Sequence, residues 1–153
     1  MAIARLYFIR RLKNLGASVQ TLRESYILFV RPILEMCAPL FAGALHIKTG
    51  KSLSESLERV QRNFCKILLP NKDYLSSLNE LDLSKISERR LKLTKKFGYK
   101  MASNPKCAYL FPKVPKSSTR STRKFLEPKW KSNHYSFSTI PFCIRLLNGE
   151  IKI

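Results

Sequence analysis

The chain has 153 residues, enough for one domain or one domain with a tail, a size at which folding buries roughly 68–70% of the unfolded surface. Hydrophobic residues make up 44%, which excludes wholesale disorder, while 29 Lys and Arg against 10 Asp and Glu leave a net charge of +19. Such a field opposes compaction unless a polyanion neutralises it, which points to nucleic acid or an anionic membrane surface.

In chain order, residues 3–15 predict a basic amphipathic helix. Leu6, Ile9, Leu12 and Leu15 alternate with Arg10, Arg11 and Lys13, and Gly16 supplies the C-terminal cap. The segment lacks the apolar run and small-residue cleavage site of a signal peptide. Ser18 is the expected N-cap of a second helix, whose apolar positions Leu22, Tyr26, Phe29, Val30, Ile33 and Cys37 step by three and four. Pro32 lacks an N–H and disfavours the helical state at Arg31, so this helix is expected to kink or break there. From Tyr26 to Leu45 the apolar run is interrupted by Arg31 and Glu35, each costly at a bilayer centre, and by Pro32 and Pro39. It therefore reads as a bent helix in water and not as a membrane span.

Ser52 and Glu55 form a capping-box pattern ahead of Leu57, Val60, Phe64 and Ile67 or Leu68, and Pro70 stops that helix. A shorter helical piece is expected around Tyr74–Leu81, then a long helix over about residues 85–102 with Ile86, Leu93, Phe97 and Met101 on its apolar stripe. No segment shows sustained strand alternation. After Asn104 the character changes: Pro105, Pro112, Pro115, Pro128 and Pro141 flank the run KSSTRSTRK, which predicts an extended, poorly packed tail. Residues 141–148 would add one or two helical turns and dock on the bundle. The expected organisation is all-α: a bundle of four or five helices over residues 3–102, then a basic, Pro-rich extended tail over 103–153.

Residues 85–131 carry fifteen basic groups against Glu88 and Glu127. Within them ERRLKLTKKFGYK places Arg89, Lys92 and Lys96 on one helical face, with Arg90, Lys95, Lys85 and Lys100 nearby. Beyond lie Arg120, Arg123, Lys124 and Lys129, interleaved with Phe125 and Trp130. Cations for phosphates with aromatics for stacking on exposed bases suit RNA or single strands. The alternative is a merely solvated basic face with Trp130 covering a crevice. Arg10, Arg11 and Lys13 form a second, smaller basic set.

No catalytic set is legible. Asp73 and Asp82 are the only aspartates, neither beside a second acid, whereas a two-metal polymerase or nuclease site needs convergent carboxylates. Glu55 and Glu58 read as a solvated helical face. There is no phosphate-binding Gly-rich loop, nucleophile elbow or H-E-x-x-H pattern. Cys37, Cys65, Cys107 and Cys143 lie far apart without a C-x-x-C, which reads as free thiols of a reduced, intracellular protein. A zinc site would need His46 or His134 to join from across the chain, so no metal ligand and no cofactor are assigned.

An ordered set of segments resembles the region after the catalytic palm in reverse transcriptases (RNA-directed DNA polymerases) of jockey-like non-LTR retrotransposons. It comprises RLYFIRRLKNLGAS (5–18), YILFVRPILEMCAPLF (26–41), LERVQRNFCKILL (57–69), LNELDLSKISERRLKL (78–93), STRKFLEPKW (121–130) and SFSTIPFCIRLLN (136–148). The resemblance implies a helical, thumb-like region that contacts template RNA or an RNA–DNA duplex beside the upstream polymerase domains. Arg31 and Glu35 would then face a neighbouring domain or nucleic acid; the alternative is a local pair between them. The family's tyrosine-x-aspartate-aspartate motif, which holds the polymerase's magnesium, would lie before Arg5 and is not in this sequence. The chain is therefore expected to act without catalysis of its own. Two other classes remain: an independent basic helical module for a protein partner or structured RNA, and, less favoured because the first helix has a narrow apolar face, a membrane-surface protein.

Overall fold

The computed structural model describes residues 2–46, 51–115, 123–129 and 132–151, with the backbone alone at His46, Lys51, Ser52, Asn133 and His134. Among them the α-helices are α1 (Ala2–Asn14), α2 (Val19–Ser25), α3 (Arg31–Glu35), α4 (Ala38–His46), α5 (Lys51–Leu68), α6 (Tyr74–Glu80), α7 (Ile86–Ser103), α8 (Asn133–Ser136) and α9 (Thr139–Leu147). A π-helical turn, Tyr26–Val30, joins α2 to α3, and a 3-10 turn covers Ala108–Leu110. The described residues hold no strand, only an antiparallel bridge between Lys113 and Phe125. The class is all-α, as expected. The four or five helices foreseen over 3–102 are seven segments, because one apolar run is cut twice.

Both cuts have local causes. Pro32 cannot donate to the Leu28 carbonyl and its ring would press on it, so the chain widens by one residue and the Arg31 N–H bonds to Tyr26 O instead. Cys37 then adopts φ 53°, a left-handed conformation that ends α3. Helix ends elsewhere follow standard capping chemistry. Ser18 Oγ accepts the Thr21 N–H at 3.1 Å, as its sequence position predicts. Gly16 (φ 85°) closes α1, with Ala17 N–H on Leu12 O at 3.1 Å and Gly16 N–H on Lys13 O at 3.0 Å. Asp82 (φ 47°) closes α6 the same way, with Leu83 N–H on Leu78 O at 2.8 Å. The capping box proposed for Ser52 falls on a side chain outside the described residues.

The chain divides into two compact units: Met1–Met36 with Ser52–Arg89, and Cys37–Lys51 with Arg90–Ile153. In the first, Leu6 and Ile9 of α1, Leu22, Tyr26, Val30 and Leu34 of the interrupted helix, Val60, Phe64 and Leu68 of α5, and Leu78, Leu81, Leu83 and Ile86 form one core. The Tyr26 ring stacks on Phe64 at 4.1 Å between centroids. Leu15 and Phe29, counted on the apolar faces above, are exposed.

The second unit departs from the expected extended tail. Phe111 and Phe125 are buried and meet edge-on, and with Cys143, Ile144 and Leu147 of α9 they pack against Phe97 and Met101 of α7. Asn148 fastens the crossing: its Oδ1 accepts the N–H groups of Lys124 and Phe125, each at 3.0 Å, and its Nδ2 donates to Phe125 O. α4 belongs here too, and packs on α9. Gly43 is required at that packing, since a Cβ there would stand 1.9 Å from the Phe137 carbonyl oxygen. The division between units therefore does not fall at residue 103. The isolated aromatics and the short apolar α9 carry too little periodicity to signal a core, yet together they cover α7. Among the described residues no single helix is long and apolar enough to cross a membrane; Val19–Glu35 and Ala38–Leu45 reach that length only jointly, across a bend.

Candidate nucleic-acid interface

The Arg-Pro segment is explained by what Glu35 touches. Its carboxylate accepts from Arg89 Nε and, at 3.2 Å, from the same guanidinium's terminal nitrogen, while Arg31 Nε lies 3.6 Å away one turn back on α3. The local pair with Arg31 is present, and Arg89 from the first turn of α7 completes a half-buried triad. The hydrogen bond to Glu35 raises the Arg89 pKa. Burial, and then the like charge of Arg89, lower that of Arg31. A second set of contacts fixes the same end of α7. The Tyr26 hydroxyl donates to Gln61 Oε1 at 2.7 Å, and Gln61 Nε2 donates to Ser84 O at 3.0 Å and Tyr74 Oη at 3.2 Å. Tyr74 donates in turn to Glu58, whose other oxygen accepts the Ser87 N–H at 3.2 Å. Glu58 thus serves as a cap for α7 and not as part of a solvated face. Gln61 is wholly buried with its polar atoms satisfied.

These contacts sort the expected basic residues. Arg89 is committed to Glu35, and Arg90 is buried. Lys95 is half-buried, whereas Lys92, Lys96 and Lys100 are exposed at intervals of four along α7. None of these three takes part in an ion pair among the described residues, whose pairs involve Arg23, Arg31, Lys72, Arg89, Arg123 and Arg145. Arg123 pairs with Glu150 at 2.8 Å, so its charge is locally met. Lys124 and Lys129 are exposed. Arg120 and Trp130 lie outside the described residues. Arg145, not singled out by the sequence, lies 3.4 Å from Glu127 and over the Phe137 ring. Burial, then Glu150, raises the Glu127 pKa.

In the first unit Arg10, Arg11 and Lys13 are exposed on α1, and Lys13 Nζ donates to the Ile67 carbonyl near the end of α5. Sequence reasoning passed over α5, whose Arg59, Arg62, Asn63 and Lys66 are also exposed on one face. Their spacing of three, four and seven was the available signal.

Both aspartates are engaged within the first unit. Asp73 caps α6, accepting the Leu75 N–H at 3.4 Å, and Asp82 accepts from Arg23 at 3.0 Å. Among the described residues no three of His, Cys, Asp and Glu gather as metal ligands. His46 and His134 have side chains outside the description. Cys65 and Cys143 are buried, which pushes each thiol up to about 11, while Cys37 is exposed and Cys107 half-buried. Comparison with family models, curated proteins and solved structures finds no match to this chain.

Proposed function

We propose that the chain is the nucleic-acid-binding C-terminal segment of a jockey-like non-LTR retrotransposon reverse transcriptase, contacting template RNA or an RNA–DNA duplex without catalysis of its own. The observation that carries the binding part is the row Lys92, Lys96 and Lys100, exposed and without a carboxylate partner among the described residues. Successive members rise ~6 Å along α7. Elsewhere among the described residues charges are met by opposite ones, as in the Lys72–Glu80 and Arg23–Asp82 pairs. An unpaired row in a protein of net charge +19 supports contact with a polyanion. The ordered motifs quoted above support the family, and with it the upstream polymerase domains as partners of the parent protein.

The test is binding of the full chain to a labelled RNA–DNA duplex, by fluorescence anisotropy, for the wild type and for Lys92→Ala/Lys96→Ala/Lys100→Ala. The triple variant should bind more weakly with its helicity unchanged. Equal affinity would remove α7 as the contact. The pure chain should also show no primer extension on an RNA template with magnesium or manganese; templated synthesis would overturn the non-catalytic reading.

A further inference from the structure

α1 and the second half of α5 leave between them a groove of about 700 Å³ within the first unit. Tyr7, Arg10 and Lys13 line it from α1, and Asn63 and Lys66 from α5; no carboxylate is among its lining residues. The Tyr7 side chain is 63% exposed, so its ring is not spent on the core. Lys13 is held at the wall by its bond to the Ile67 carbonyl and retains further ammonium protons. Across α5, Lys66 also lines a second cleft with Arg62 and Lys72. The acid of that cleft, Asp73, is engaged in capping α6. The exposed face of α5 is thus a basic ridge with an aromatic and amides beside it.

We infer that the α1–α5 groove binds one strand of single-stranded RNA, with Arg10, Lys13 and Lys66 on phosphates and Tyr7 against a base. The argument is charge complementarity joined to an exposed ring: three cations without a counter-charge in the groove, next to a π-face that any base can stack on. This rests on the proposal that the chain binds nucleic acid, but assigns a site that uses neither α7 nor the residues after it.

The full chain is titrated against a labelled oligouridine at fixed salt. Arg10→Gln/Lys66→Gln should weaken binding about fivefold or more. The double variant Lys106→Gln/Lys113→Gln, which removes the same charge from exposed sites in the other unit, should change it less than about twofold. Tyr7→Leu, which keeps an apolar side chain, should weaken binding about fivefold or more through lost stacking. Oligouridine carrying 4-thiouridine should crosslink to α1 and α5 peptides of the wild type, a readout independent of any variant's folding. Wild-type binding that the groove variants leave unchanged, with crosslinks confined to other segments, overturns the groove and leaves the functional proposal standing. Absence of wild-type binding overturns both. If the groove variants abolish binding to an acidic peptide or to phosphatidylserine vesicles while RNA binding persists, the occupant is not RNA and the inference falls.

Discussion

At the scale of single residues, Glu35 matters most because two guanidiniums share it. Replacing it with Gln would keep the shape and leave Arg31 and Arg89 side by side without a counter-charge. Glu35→Gln should therefore cost about 1–3 kcal/mol of unfolding free energy in urea titration; an unchanged midpoint would mean that the triad contributes nothing net. The buried thiols give a pH dependence with a definite sign. Cys65 and Cys143 rise from 9.0 to about 11 in the fold, so the folded state holds their protons where the unfolded chain has lost them. Their contribution is fully present below pH 9 and is lost as the pH rises through about 11. Thermal melting should consequently fall across that alkaline window. Iodoacetamide at neutral pH should label Cys37 first, then Cys107, with Cys65 and Cys143 protected; equal labelling of all four would contradict the packing. The caps at Ser18 and Gly16 were legible in the sequence because a cap acts within a few residues of itself. The engagement of Arg89 was not, since its partner lies 54 positions away and periodicity records only which face a residue occupies.

At the scale of elements, the positions and ends of α1, α6 and α7 could be read from apolar spacing, Gly, Pro and capping residues. The interrupted α2–α3 run was readable as a bend at Pro32, though not as a π turn, because a proline signals that the regular bond is lost but not which carbonyl the chain takes instead. α9 was expected as one or two turns docked on the bundle, but not as part of a second core. Its residues Pro141, Phe142, Cys143, Ile144, Leu146 and Leu147 are all buried, and with Arg145 as its one charge its nine residues give no hint of which aromatics elsewhere they will meet. Its packing against α4 is the sharpest test of the second unit. Gly43→Ala would drive a methyl into the Phe137 carbonyl and should cost about 1–3 kcal/mol or more. Gly98→Ala meets the end of Leu147 at 3.3 Å and, in ordinary contact, Cys143 Cβ at 3.4 Å. The movable Leu147 contact is offset by a gain in helix propensity of about 1 kcal/mol, so the variant's stability should stay near that of the wild type. Melting temperatures that rank the two variants in the opposite order would show that α4 and α9 do not meet in this way.

At the scale of the whole molecule, the all-α class was legible, and the core formed by residues after 103 was not. Isolated aromatics such as Phe111 and Phe125 show no repeat until the chain brings them onto α7. A chain ending at Ser103 would lack Phe111, Phe125 and α9, exposing Phe97 and Met101. It should lose more helicity by circular dichroism than the missing α8 and α9 contain. Retention of all the remaining helicity would argue that residues 2–103 suffice for their own fold. The basic character is also a property of the whole molecule, and part of it was legible. The concentration of charge over 85–131 stood out, but burial and pairing then removed Arg90, Arg89 and Arg123 from the freely presented set and left Lys92, Lys96 and Lys100 as the row on α7. The α5 ridge was legible from its own spacing, but the groove it forms with Arg10 and Lys13 was not, because those residues belong to a distant stretch of chain.

The most direct test of phosphate contact is the salt dependence of binding to an RNA–DNA duplex. Each neutralised phosphate releases condensed counterion, giving a log–log slope of roughly −0.7 to −0.9 per contact. The wild-type chain should show a steep negative slope, and Lys92→Ala/Lys96→Ala/Lys100→Ala should flatten it by about two to three. A shallow wild-type slope, or one that the triple variant leaves unchanged while its circular dichroism matches the wild type, would contradict the assignment of this lysine row to nucleic acid.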